Sequence, residues 1–338
     1  MRPEVTIVMP AYNAAHFLGR SLPAAIAAAR GSRVLVIDPG SDDGTPERAR
    51  ELGAEVVSLG HRAGPALARN RGVELVKTEV VLFIDSDCVA HPDILERVAK
   101  AFGDDPALVS LTGSYDDSPP ERNFFSLYMN LRHHFTHQKA RTEGASFWAG
   151  CGAVRTSVFR SIGGFDAEQF PRPMIEDIEL GLRLRAAGRT CLDPAMHVKH
   201  LKHWSMRGVI ETDIKQRALP WAELIVQTGQ LPNDLNLAWS QRVAAAISPL
   251  VLLGLVSAPL AWSFGFPGVA LAALLPAVVS ATLHRALLAG FARTCGAPTA
   301  LLVFLFHQVH LLYSAATLAF VTIRHALRGR VSTPGSPP

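Results

Sequence analysis

From Val243 to the C-terminus the 338-residue chain has no lysine, aspartate or glutamate. The only formal side-chain charges there are five arginines, Arg285, Arg293, Arg324, Arg328 and Arg330. Taking those five from 33 basic residues leaves 28 against 29 acidic ones in the first 242, a net of −1. The overall +4 therefore resides in an apolar tail, which argues against nucleic acid as the main partner and for a membrane. Cysteine is scarce: Cys88, Cys151, Cys191 and Cys295 form no CxxC pair and read as small buried thiols of a reduced compartment. No GxGxxG follows the first strand, which argues against a Rossmann dehydrogenase. "MPAYNAAHF" also lacks the Gly-rich, basic loop that a nucleotidyltransferase on a similar sheet would want. "MRPEVTIVMPAYN" reaches a polar, Pro-containing stretch too early for a signal peptide, so none is expected.

What is present divides in two. The hydrophobic fraction of 49% and the mean hydropathy of +0.19 are high for a purely soluble enzyme. In the first 115 residues strand and helix signals alternate, the pattern of an α/β fold whose parallel sheet is joined by crossover helices. Strands are expected at 5–11, 33–38, 54–59, 80–85 and 108–115, with Gly31 and Gly53 stopping helices between them. Ligands of such sheets bind beyond the carboxyl ends of the strands. Three of those ends carry chemistry: Pro10-Ala11-Tyr12-Asn13, Asp38, and Asp85-Ser86-Asp87. Further on, "MIEDIELGLRLRAAG" (174–188) predicts a helix opened by Glu176 and Asp177 and ended by Gly188.

Residues 243–283 hold no formal charge, too long a run for one helix, so "SFGFPG" (263–268) is expected to turn a hairpin of two spans. Thr299–Ile323 forms a third apolar stretch, and "HRALLAGFAR" between them suits an interfacial helix. Three full spans would put Arg324, Arg328 and Arg330 on the far side, against the positive-inside rule, so two or three spans both stay open. The expected organisation is a domain over 1–205, an interfacial helical linker over 206–242, membrane-associated helices over 243–330 and a disordered tail over 331–338. The expected location is a bacterial inner membrane, as an integral protein with its catalytic part on the cytoplasmic side.

"VVLFIDSDC" drives an apolar strand into two acids. Residues i and i+2 of an extended segment share a face, so Asp85 and Asp87 are expected to converge on a divalent cation; the bland alternative is capping of the next helix. Together, "VMPAYN", "VIDPGSDDGT", "GPALARNRG", "FIDSDC", "AGCGAVRTSVFRSIGGFD" and "EDIELGLRLRAAG" resemble the family-2 inverting glycosyltransferases with the GT-A fold, over roughly residues 3 to 205. The resemblance implies a nucleoside-diphosphate sugar donor, Mn²⁺ or Mg²⁺, and a lipid-linked or glycan acceptor. It implies Asp87 as metal ligand with Asp85 at the ribose or the metal's water, and His200 of "HVKHLKHWS" reaching the metal or diphosphate. Asp38 and Tyr12 would meet the base, although Pro39 stands where the family more often has Asp. Arg69 would meet the diphosphate, or else form a helix-surface salt bridge. Asp177 takes the general-base position, with Glu176 shaping the acceptor site; helix capping is their plain alternative. Asp42, Asp43 and Thr45 read as turn chemistry. "KQRALPW" (215–221) only loosely resembles the Gln-x-x-Arg-Trp element of processive synthases, so processive polymerisation is not supported. Arg217 and Trp221 are nonetheless expected over the donor. His307 and His310 read as packed neutral imidazoles. A non-catalytic membrane scaffold that retains the fold and a nucleotidyltransferase stay as the rival readings.

Overall fold

The computed structural model describes residues 2–140, 142–144, 146–229 and 238–331. Residues 332–338 of the expected tail 331–338 and residues 230–237 of the expected linker lie outside the described residues, while Val331 ends the last helix. The chain divides after Trp204 into two units.

In the first unit, β1 (Val5–Pro10), β2 (Val34–Asp38), β3 (Glu55–Ser58) and β4 (Val80–Ile84) pair in parallel in the order β3-β2-β1-β4. Val5, Ile7, Val8 and Met9 are all buried, because a parallel strand covered on both faces needs an unbroken apolar run. The covering helices are α1 (Ala15–Ala29), α2 (Thr45–Glu51) and α3 (Pro65–Glu74). Beyond β4 the parallel expectation fails. After β5 (Cys88–Ala90) and α4 (Ile94–Asp104), β6 (Leu108–Tyr115) does not pair with β4. Past α5 (Phe124–His137), β7 (Cys151–Arg155) enters between β4 and β6, antiparallel to both. "CGAVR" has too few branched or aromatic residues to announce a strand. A Cβ at Gly152 would stand 2.5 Å from the Trp148 carbonyl oxygen, so packing demands glycine where strand propensity disfavours it. After α6 (Thr156–Ser161) and α7 (Glu176–Ala187), β8 (Arg189–His200) pairs parallel to β6 and antiparallel to β5, its strand signal masked by Pro194 and charge.

Two buried clusters flank the sheet. That beneath α3 and α7 centres on Phe83, whose ring lies 5.7 Å from Phe159 and 5.6 Å from Phe165. Two glycines bring helices onto this side. A Cβ at Gly72 of α3 would meet Val8 Cγ1 at 2.5 Å, and one at Gly181 of α7 would meet the Phe147 backbone nitrogen at 2.8 Å.

The second unit begins with α8 (Met206–Glu211), a π-helical turn over Thr212–Ala218 and α9 (Leu219–Thr228). α10 (Trp239–Ser263), α11 (Pro267–Ala273), α12 (Leu275–Leu283), α13 (Arg285–Cys295) and α14 (Ala297–Val331) follow. α10 and α14 are each long and apolar enough to cross a membrane, and α11–α12 with α13 form a pair bent by 74°.

Gly181→Ala should lower the stability of the full chain by about 1–3 kcal/mol, because the new methyl abuts backbone, outweighing the roughly 1 kcal/mol that alanine gains in helix propensity. Thermal unfolding in detergent reads this; an unchanged midpoint would show that α7 has room to move.

Candidate active site

The first two strand ends stitch each other. Asn13, at φ 47°, donates its backbone N–H to Ser41 Oγ at 2.9 Å and its side-chain amide to Asp42 Oδ1 at 2.8 Å. Ala14 N–H donates to Thr45 Oγ1 at 2.7 Å and Ala15 N–H to Asp43 Oδ2 at 3.0 Å. The opening amides of α1 are thus capped from the neighbouring loop, a structural use for "DPGSDDGT". Asp38 is buried and accepts from Ser41 N–H at 2.9 Å. Tyr12 is exposed, with the Arg62 guanidinium 5.3 Å above its ring.

Asp85-Ser86-Asp87 is a turn rather than strand: Cys88 N–H donates to Asp85 O at 2.9 Å. The expectation of two acids on one extended face is therefore corrected, and each carboxylate has its own partner. Neither caps α4, whose N-cap is Asp93. Asp85 Oδ1 accepts from Arg69 Nη2 at 2.7 Å, and Asp87 Oδ2 lies 3.2 Å from His200 Nε2. Burial would raise Asp87, but the His200 ring beside it, helped by Lys202, holds it down at about 2. Burial pushes Asp85 up, and Arg69 only partly draws it back.

Arg69 is buried on α3, not paired at a helix surface. Its Nη1 donates to Glu176 Oε1 at 3.1 Å, and its guanidinium lies 5.4 Å over the Phe165 ring. Glu176 faces inward as well. Its second oxygen accepts from Met174 N–H at 2.9 Å, so each oxygen has a protein partner. Asp177 is only half-buried, accepting from Ala149 N–H at 3.4 Å and Ile178 N–H at 2.8 Å. Burial, and then the Glu176 charge, push its carboxyl up to about 7 against the pull of Arg69.

His200 is oriented by a residue that sequence reasoning missed. Asn130 Nδ2 donates to Ser126 O at 2.9 Å, which turns Asn130 Oδ1 toward His200 Nδ1 at 2.6 Å. Nδ1 must then carry hydrogen, and a neutral ring presents the Nε2 lone pair to the Asp87 carboxylate. Two acceptors at 3.2 Å require a cation between them, a proton or a metal ion. Two donors each about 2.1 Å from one ion at right angles stand about 3 Å apart, so the pair fits Mn²⁺ or Mg²⁺. Among the described residues no group of three or more His, Cys, Asp or Glu converges for a metal. Asp85 is thus not gathered as a third ligand, and an ion here would complete its shell with substrate and water oxygens. Tyr115, also missed, stacks on His200 at 4.5 Å. No local signal marks Asn130 or Tyr115, since both reach the site only through packing of α5 and β6. Arg217 and Trp221 belong to the second unit, where Arg217 Nη1 donates to Asp213 Oδ1 at 3.0 Å.

Residues 6–163 match the model of Glycosyl transferase family 2. That stretch, just under half of the chain, is a family-2 glycosyltransferase domain. The pre-mycofactocin glycosyltransferase of Mycobacterium tuberculosis is 30% identical to this chain over 223 residues, covering 60% of this chain and 45% of that protein. The validoxylamine A glucosyltransferase of Streptomyces hygroscopicus subsp. jinggangensis is also 30% identical over 223 residues, covering 55% and 52%. This chain spans about half the length of these curated relatives. The mannosyltransferase PcManGT of Pyrobaculum calidifontis, solved with GDP-Man and Mn²⁺, shares the fold at a TM-score of 0.56 and 18% identity, over 96% of this chain and 87% of that one. The family-2 domain is thus GT-A-like.

Arg69→Met should destabilise the protein by about 3 kcal/mol, since it strands a buried Glu176 and a sheltered Asp85. Arg69→Lys should recover little, because one ammonium cannot fork between two carboxylates. Urea unfolding of both variants tests this, and a wild-type midpoint for either would refute the bridge.

Proposed function

We propose that this chain transfers a sugar from a nucleoside-diphosphate sugar to a hydroxyl of a lipid-linked or other membrane-proximal acceptor, inverting the anomeric centre. The observation carrying this reading is the Arg69 bridge, which ties the Asp85 turn to the helix start bearing Asp177. Donor-side acids and a base are thereby held at one sheet edge by a single rigid group.

Pro10 to Asn13, Asp38 and Ser86 line the nucleotide side, with Tyr12 open to the base. Asp87 and His200 hold Mn²⁺ or Mg²⁺, which when bound supplies positive charge against the diphosphate. The acceptor oxygen attacks the anomeric carbon opposite the diphosphate. The bond from that carbon to the β-phosphate oxygen breaks, its electron pair leaving on the diphosphate, and the acceptor proton passes to the Asp177 carboxylate. A single displacement inverts. A retaining route would need a second carboxylate as nucleophile, and the nearest in sequence, Glu176, has both oxygens engaged. Arg217 and Trp221 lie in the second unit, where residues 206–228 serve as an interfacial layer.

Detergent-solubilised protein offered UDP-, GDP- and dTDP-sugars with Mn²⁺ or EDTA should bind one donor in a metal-dependent way. Asp87→Ala should lose that binding. Asp177→Asn should keep it while transfer falls by roughly 10²–10⁴-fold. Metal-independent binding, or undiminished transfer by Asp177→Asn, would sink the assignment.

The pH profile carries a second test. The base works only when ionised, and its carboxyl sits at about 7 in the folded protein. Activity should therefore fall about tenfold per pH unit below that value and level off above it. Glu176→Gln removes the neighbouring negative charge and should move this acid limb to lower pH. A limb near 4 in the parent protein would show that Asp177 is not the titrating base.

A further inference from the structure

α14 is long and apolar enough to cross a membrane, yet its contacts follow a different course. α10 and α11–α12 form an antiparallel hairpin. A Cβ at Gly254 would strike the Ala273 carbonyl oxygen, and His284 Nε2 lies 3.2 Å from Gln241 Oε1. The chain thus returns, after α12, to the end where α10 began. α14 meets that same end: Ser280 Oγ donates to Gln308 Oε1 at 3.1 Å, and the His284 and His307 rings are 4.6 Å apart.

Beyond His307 the helix follows the segment that precedes α10. Tyr313 OH donates to Asp213 Oδ2 at 2.7 Å, with His310 Nδ1 3.0 Å from the same oxygen, and Arg324 Nη2 donates to Glu223 Oε1 at 2.7 Å. That segment carries outward charges: the side chains of Arg207, Glu211 and Lys215 are 85%, 43% and 69% exposed. Such a layer does not enter hydrocarbon, and a helix packed along it stays with it. α14 also has two faces beyond this point. Leu311, Thr317 and Val321 are buried, while Phe320, Ile323 and Leu327 form an exposed apolar stripe flanked by Arg324 and Arg328.

We propose that only α10 and α11–α12 cross the membrane, and that α14 from His310 onward, with residues 206–228, forms a layer lying on the lipid surface at the face where α10 begins. Its stripe enters the acyl boundary and its arginines meet anionic headgroups. Arg242, Arg285, Arg324 and Arg328 then share one face, and the far turn Phe264-Gly265-Phe266 carries no charge. By the positive-inside rule that face is cytoplasmic.

The test is sidedness in the full chain, reconstituted in sealed phosphatidylcholine–phosphatidylglycerol vesicles. Single cysteines Met206→Cys, Ser263→Cys, Ala297→Cys and Ala326→Cys are placed in a Cys191→Ala/Cys295→Ala background and treated with an impermeant maleimide. Ala326→Cys should react from the same side as Met206→Cys, with Ser263→Cys reached only from the other side. Ala297→Cys should show no reaction from the Ser263→Cys side. Reaction of position 297 or 326 from that side, or protection of 326 from both sides, overturns the proposal. Protease removal of N- and C-terminal tags gives an independent reading without substitutions: the same molecules should lose both, and retention of the C-terminal tag alone overturns it.

Discussion

A buried guanidinium organises the catalytic end of the sheet. Arg69 comes from α3, Asp85 from the turn after β4, and Glu176 from the start of α7, and only the forked donor set of arginine can hold both carboxylates. Each ion alone would be costly to bury; together they are partly neutralised, and two helices and a turn become one object. The aromatic group of Phe83, Phe159 and Phe165 fills the space beneath, and Phe165 supports the guanidinium directly. Gly72 and Gly181 allow α3 and α7 to come close enough for the bridge to form.

This bridge also separates the roles of four acids that look alike in the sequence. Glu176 and Asp85 are spent largely on Arg69. Asp87 is left facing His200 and Asp177 is left half-open, and the two are driven in opposite directions, one down to about 2 and the other up to about 7. A carboxylate that stays ionised suits a cation, and one that titrates near neutrality suits proton transfer. The division follows from which neighbours each acid meets.

The second unit uses polar contacts for a different end. Asp213, in the π-helical turn, gathers Arg217, His310 and Tyr313. Length and hydropathy describe α14 as a span, but they take no account of what the helix packs against. His307 and His310, read from sequence as packed imidazoles, lie in this chain of contacts, and His310 is hydrogen-bonded to Tyr313 at 2.8 Å rather than packed in a purely apolar setting.

Much was legible in the residues themselves. The four parallel strands follow from apolar runs ended by Asp38 and Asp85, the opening of α7 from the periodicity after Glu176-Asp177, and the anchoring tail from its lack of acids. These are local signals, set by side-chain period and composition within a dozen residues. Strand β7, the turn that splits Asp85 from Asp87, the inward face of Glu176 and the pairing of Asn130 with His200 were decided only by tertiary packing. Each depends on partners that no local pattern announces, where a glycine is kept for the space it leaves and a carboxylate takes its role from the cation that reaches it.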